Sequence, residues 1–250
     1  MFKGFYNLTS GMMTQQQRMN NVANNLTNIS TPGFKSSRHT IGNFQDVLYS
    51  RVGNQNKSTY QPIGRQSYIV ATDEIVTNYT QGALEETGIP LDFAIDGDGF
   101  FAIRNAANET MYTRSGSFSL DAQGYLCYSG FGRVLDSEGN ALRVMTDKIT
   151  SDNHGNIYAN NGMLLGQIGV FTFDDTAQLE YNDEGFLVGA EGEAVEDPTV
   201  RGGFLERSNV DMVTEMTEML SSQRAFQSAA QVTKIYDTLM NKITTEIGRV

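Results

Sequence analysis

Phe5-Tyr6-Asn7-Leu8-Thr9-Ser10-Gly11-Met12-Met13-Thr14-Gln15-Gln16-Gln17-Arg18-Met19-Asn20-Asn21-Val22-Ala23-Asn24-Asn25-Leu26-Thr27-Asn28-Ile29 decides the fold. Stepping from Phe5 by threes and fours gives Phe5, Leu8, Met12, Gln15, Met19, Val22, Leu26 and Ile29, and seven of these eight are apolar. A stripe this narrow is a coiled-coil seam, not the broad apolar face of a globular helix. Thr31-Pro32-Gly33 ends it, because proline disfavours helix at the residue before it and glycine supplies a turn.

The far end of the chain has the same character. Ser208-Asn209 offers N-cap oxygens, and Asp211 and Glu215 suit the first turns of a helix. Met212, Met216, Met219, Gln223, Phe226, Ala229/Ala230, Thr233, Tyr236, Leu239, Ile243 and Ile247 follow at helical spacing. A helix from Val210 to Ile247 is about 55 Å long at 1.5 Å per residue, too long for a small globular body to cover. Eight of the 11 methionines lie in these two terminal segments. Their flexible thioethers suit surfaces that meet several neighbours. Two helices paired within one chain would satisfy one stripe each and leave the other apolar positions for other molecules.

Between about residues 71 and 200 the period changes. Short runs of aromatic and β-branched residues, such as Phe100-Phe101-Ala102-Ile103 and Gly169-Val170-Phe171-Thr172-Phe173, alternate with turns. The turn recurs as Asp/Asn-x-x-Gly at Asp121–Gly124, Asp136–Gly139, Asp152–Gly155 and Asn182–Gly185. This pattern predicts antiparallel hairpins in a sandwich or rolled sheet. The unequal offsets between the turns exclude a solenoid. The fold class expected is therefore α+β, with long N- and C-terminal helices pairing in a coiled-coil-like manner and a central antiparallel β-rich domain. The boundaries are 1–34 for the N-terminal helix, 35–70 for a polar extended arm, 71–200 for the β domain and 201–250 for the C-terminal helix.

The 250 residues carry a net charge of −11, unevenly spread. Residues 1–70 hold +6, residues 71–200 hold −17 and residues 201–250 are neutral. The acidity excludes generic nucleic-acid binding, and the uneven spread reads either as an ordinary acidic domain or as middles that repel one another while the ends associate with other chains. No run of about 18 apolar residues occurs, so no direct membrane insertion is expected. The start lacks the apolar core of a cleavable secretory signal. One cysteine, Cys127, excludes a disulfide framework and a cysteine-based zinc site, and is expected in a strand.

Catalytic chemistry is sparse. There is no G-x-S-x-G elbow, no P-loop and no G-x-G-x-x-G after a strand, and the two histidines, His39 and His154, lie in the polar arm and in a turn. Asp96-Gly97-Asp98-Gly99 begins like a calcium loop but lacks the later ligands, including the Glu at loop position twelve, so a water-facing turn is the better reading. No catalytic residue, metal site or cofactor is expected. The chief alternative is a secreted β-domain adhesin or calcium-binding module with coiled-coil ends. A third possibility is an acid/base enzyme using Asp96 and Asp98, which would need a concave pocket around them.

Ala23-Asn24-Asn25-Leu26-Thr27-Asn28-Ile29-Ser30-Thr31-Pro32-Gly33-Phe34-Lys35 resembles the N-terminal signature of the bacterial flagellar rod, hook and hook-associated axial proteins. Phe93–Phe101, Tyr112–Phe118 with Gly124-Tyr125-Leu126, and Gly203–Asp211 through Gln223-Arg224-Ala225-Phe226 look like the rod and hook branch. The four segments occur in the family's order. Asn24, Asn25, Leu26, Asn28, Thr31, Gly33, Phe34, Ser208, Asn209, Val210, Gln223 and Arg224 carry the match. Thr27, where alanine is usual, and Cys127, where an aliphatic is usual, depart from the commonest rod pattern.

The resemblance implies a structural subunit of the flagellar basal-body rod, without enzymatic activity. It implies export through the flagellar type III apparatus, association with other rod and hook proteins, and torque transmission. It also implies head-to-tail assembly with further copies of the chain. Leu8, Met12, Met19, Val22, Leu26 and Ile29 are expected to meet Met216, Met219, Phe226, Tyr236, Leu239 and Ile243, within and between subunits.

Overall fold

The N-terminal helix, α1, spans Phe2–Thr27, and the C-terminal helix, α2, spans Met212–Ile247. In the computed structural model the residues described are 2–43, 46–52, 60–67, 70–173, 179–182, 185–189 and 192–247. α1 stops at Thr27, so Ile29 falls in the turn beyond it. There Thr31 N donates to Asn28 O at 3.1 Å, and Thr31 Oγ1 lies 3.2 Å from Asn28 Oδ1. The backbone bond closes a turn in place of a further helical turn, the side-chain pair braces it, and Pro32 follows. The N-cap of α2 is Asp211, not Ser208-Asn209. Asp211 Oδ1 accepts from Val213 N at 3.2 Å and Oδ2 from the Thr214 hydroxyl at 2.5 Å. These bonds hold the Asp211 carboxyl below the usual range. Asn209 is used elsewhere, its Nδ2 donating to Thr80 O at 3.0 Å.

The backbone divides into two units. The first comprises residues 1–27, 36–78 and 210–250, and the second residues 28–35 and 79–209. In the first, α1 packs along α2. Asn25 reaches Glu215 and Arg18 reaches Glu218, so the helices run antiparallel. The segment 35–70, expected as an extended arm, carries extended backbone that pairs as strands. Ser37–Asn43 pairs antiparallel with Val70–Thr77, and Asp46–Val52 with Tyr60–Ser67. Ile41, Ile63, Ile75 and Val76 on these ribbons are exposed.

The second unit is antiparallel β. Strand Phe100–Asn105 is its hub, pairing with Thr110–Thr113, Gly132–Val134 and Val170–Thr172. Its side chains alternate between faces, as the pleat requires. Phe101 joins a core with Phe93, Ile95, Leu126, Val134, Ile157, Ile168 and Val200. Phe100 and Ala102 join another with Tyr112, Leu135, Phe171 and Leu187. Cys127 is half-buried in strand Leu126–Tyr128.

All four Asp/Asn-x-x-Gly turns form as expected. Asp121 Oδ1 accepts from the backbone N–H of Gln123 and Tyr125, and Asp136 and Asp152 repeat the geometry on their own turns. Asn182 accepts from Phe186 N. The glycines sit at φ between +74° and +83°, a region open to glycine at little steric cost.

Phe101 is wholly buried at the hub. Phe101→Ala should therefore destabilise the β unit by about 3–5 kcal/mol, measured by urea unfolding followed through tyrosine fluorescence. A loss under about 1 kcal/mol would contradict this core assignment.

Candidate assembly interface

The helix residues singled out in the sequence fall into two groups. Val22 is buried, and Leu8, Met12, Met19 and Leu26 are half-buried on α1, as are Met219, Phe226 and Tyr236 on α2. Met216, Leu239 and Ile243 are exposed at 49%, 53% and 39%. The covered positions on α2, Glu215, Met219, Ser222, Phe226, Ala229, Thr233, Tyr236 and Met240, follow a 3-4 spacing, with half-buried Glu218 beside them. Large apolar residues of α2 also stand exposed, in two groups on opposite flanks of that seam: Met212, Val213, Met216 and Leu220 near the start and Val232, Ile235, Leu239 and Ile243 toward the end.

Of the family-motif residues, Asn25 and Val210 are buried. Leu26, Asn28, Gly33, Phe34, Ser208 and Asn209 are half-buried, and Asn24, Thr31, Gln223 and Arg224 face solvent. Asn25 Nδ2 donates to Ser37 O at 3.0 Å and to Glu215 Oε1 at 3.2 Å, and Asn25 Oδ1 accepts from Ser37 N at 3.2 Å. At the rim, Glu218 is shared by Arg18 at 3.4 Å and Arg38 at 3.3 Å. Burial pushes the Glu215 carboxyl above the usual range. The Asn25 bond opposes this, nearby Glu218 reinforces it, Arg38 opposes it and Asp211 reinforces it.

In the β unit, three of the recognised segments meet at one carboxylate. Glu206 is 1% exposed, and its Oε1 accepts from Lys35 Nζ at 2.6 Å and from Gly82 N at 2.8 Å. Its Oε2 accepts from Arg114 Nε at 2.7 Å. Lys35 Nζ also donates to Thr80 O, and Arg114 donates its remaining fork to the carbonyls of Gly97 and Gly99. Burial pushes the Lys35 ammonium down from the usual lysine value, against the Glu206 bond. Gly33 closes the same corner. It sits at φ +71°, its N–H donates to Glu206 O at 2.8 Å, and a Cβ there would lie 2.3 Å from Ser115 N. The convergence on Glu206 was not anticipated from sequence, although Lys35, Arg114 and Glu206 each stand inside a quoted motif.

A cavity of about 210 Å³ lies beside this cluster, lined by Lys35, Tyr79, Asp98, Phe100, Arg114 and Phe173 among others. Asp98 borders it, whereas Asp96 is held by Arg201 at 2.6 Å. The two carboxylates that an acid/base enzyme would need together are therefore differently engaged. Among the described residues no group of three or more His, Cys, Asp or Glu could hold a metal ion, and the calcium-module alternative has no support. No described helix is long and apolar enough to cross a membrane.

Paired terminal helices with a β unit inserted between them in the sequence define an α+β architecture of the axial type. Comparison with known proteins gives the family. Residues 5–35 match the model described as flagella basal body rod protein, residues 94–178 the flagellar hook protein FlgE/F/G D1 domain, and residues 201–246 the flagellar basal body rod FlgEFG protein C-terminal. The flagellar basal-body rod protein FlgG of Bacillus subtilis is 32% identical, over 97% of this chain and 98% of its own. FlgF of Mesorhizobium japonicum is 33% identical over 90% and 89%. The hook-basal body complex protein FlhO of Bacillus subtilis is 27% identical over the whole of both chains. The chain belongs to the flagellar basal-body rod protein family.

Two measurements test these assignments. A carboxyl with a raised folded pKa stabilises the fold fully below its unfolded value, and that contribution is lost as pH rises through the folded value. Helix pairing should therefore weaken as pH rises from about 4 through the raised Glu215 value. Glu215→Gln should flatten that component, read as the wild-type-minus-variant difference in helix melting across the range. Glu206→Ala strands two buried cations and should cost the β unit about 3–5 kcal/mol in urea unfolding. A near-neutral result would show that the cluster is not needed.

Proposed function

We propose that this chain is a structural subunit of the bacterial flagellar basal-body rod, without catalytic activity, that polymerises head-to-tail through its terminal helices. The observation that carries the reading is the number of large apolar residues left exposed on α2, Met212, Val213, Met216 and Leu220 at its start and Val232, Ile235, Leu239 and Ile243 toward its end, on a helix that also packs on α1. Exposed apolar side chains in this number are unfavourable in water and favour burial against further copies or neighbouring rod and hook proteins. A contact between unlike surfaces that does not close gives filaments instead of rings. Family membership and the names of the relatives support the basal-body location and the association with other rod and hook components.

In this reading the chain leaves the cytoplasm through the flagellar export apparatus, and its helices complete their order on assembly, when burial offsets the entropy of ordering. The β unit carries most of the acidic charge, and mutual repulsion keeps it from competing with the helices as an association surface. The assembled shaft transmits torque through the packed helices.

Circular dichroism and sedimentation of the full chain over a concentration series test the proposal. Helical signal should rise with concentration as large polymers form. A fully helical monomer at every concentration would overturn it.

A further inference from the structure

The chain passes between its two units four times, between residues 27 and 28, 35 and 36, 78 and 79, and 209 and 210. Boundaries of this kind usually fall in exposed, flexible linkers that few contacts cross, and movement of one unit on the other is then the default. Here the crossing segments are tied to one another on the β-unit side. Lys35 is the last β-unit residue before the second crossing, Thr80 is the second after the third, and Asn209 is the last before the fourth. All three meet at one atom. The Thr80 carbonyl oxygen accepts from Lys35 Nζ at 2.8 Å and from Asn209 Nδ2 at 3.0 Å.

The Glu206 carboxylate adds a second tie among the same segments. Its Oε1 joins Lys35 Nζ to the Gly82 amide, and the Glu206 carbonyl accepts from Gly33 N. The Lys35 and Glu206 side chains are 2% and 1% exposed, and charge-assisted bonds of this kind are the strong ones. Arg207 N closes the set on Ala83 O at 2.9 Å, and a Cβ at Gly82 would collide with Arg207 O. Charge balance alone does not call for Lys35, because Arg114 already matches Glu206. Burial pushes the Lys35 ammonium down, against the Glu206 bond, and Arg114 pushes it down further. What Lys35 adds is its bond to the Thr80 carbonyl, whereas Arg114 turns its remaining fork to Gly97 and Gly99.

We propose that Lys35 and Asn209 are positioning residues of a joint: through the Thr80 carbonyl they gather three of the four crossings into one braced bundle, which carries force between the helices and the β unit in the assembled rod. The bracing stands on these bonds alone, and the transmission of force rests on the function proposed above. A single slack connection would let one unit turn without the other, whereas crossings pinned together resist that turn.

The test is the double variant K35M/N209A, which removes both donors and leaves Glu206 matched one to one by Arg114. Hydrogen exchange in the dilute full chain reads the joint at the Gly33, Gly82 and Arg207 amides and the core along strand Phe100–Asn105. Exchange at the joint amides should rise by about tenfold or more while the hub strand stays within about twofold, because local opening is independent of the core. Urea unfolding of the β unit should be unchanged. N209A alone, at the half-buried rim, should raise Arg207 exchange by about threefold and keeps the test decisive if the double variant fails to fold. Unchanged exchange at the joint, or an equal rise in the hub strand, would overturn the bracing. Polymers of the double variant should form at the wild-type concentration and bend more in electron micrographs, and polymers as stiff as the wild type's would overturn the transmission of force. Wild-type chain that never polymerises would overturn that role together with the assembly reading, while exchange in dilute chain still decides the bracing.

Discussion

α1 and α2 are joined at their most buried point by a hydrogen bond from the Asn25 amide to the Glu215 carboxyl. Asn25 also clamps the backbone of Ser37, so one side chain ties the last turns of α1, the first strand after it and the first turns of α2 into one geometry. The consequences run outward. Polar Thr14, Glu215 and Ser222 lie inward beside half-buried Met219, Phe226 and Tyr236, while Met216, Leu220, Ile235 and Leu239 stand outside. The intrachain pair covers only part of the apolar surface of α2, and the outer residues have burial still to gain. That surplus is the energetic basis of the proposal that the subunit completes its order in company.

The β unit solves a different problem. Its hub strand buries both faces, and its local turns are closed by Asp and Asn side chains that satisfy their own backbone. Within it the Glu206 carboxylate draws Lys35, Arg114 and the Gly82 amide together from places far apart in the chain. A buried ion cluster is not a general source of stability, since its desolvation opposes its attraction. Its effect here is specificity. Glu206 accepts along fixed directions, so the Gly33–Lys35 segment, the Arg114 strand end and the strand bearing Glu206 have one satisfactory arrangement.

Much of this was legible in the residues. The Phe5–Ile29 spacing marked α1, and the four Asp/Asn-x-x-Gly turns were readable because an Asx turn is set by four or five consecutive residues. The helix ends were less so. Asp211 won the cap from Ser208-Asn209 because Asn209 binds Thr80, a contact that only the tertiary fold supplies. The covered face of α2 was read one residue late in its first turn, at Met216 and not Glu215, because pattern reading puts apolar residues inside. The seam here violates that rule at its N-terminal end and obeys it at Met219, Phe226 and Tyr236. The Glu206 cluster could not be read at all. Lys35 and Glu206 are 171 positions apart, and charge pairing over that distance leaves no periodic trace. Residues 35–70 looked like an arm because their pairing rests on backbone bonds, with apolar residues such as Ile41 and Ile75 left in solvent.

The central claim is that the outer face of α2 is covered by other copies and not by its own chain. Amide hydrogen exchange across residues 212–247, in dilute chain and in assembled material, tests it most directly, because exchange reports local opening segment by segment. The account predicts rapid exchange along α2 when dilute and strong protection, extending to Ile243, once assembled. Protection of the whole of α2 already complete in the dilute chain, with no gain on concentration, would contradict it.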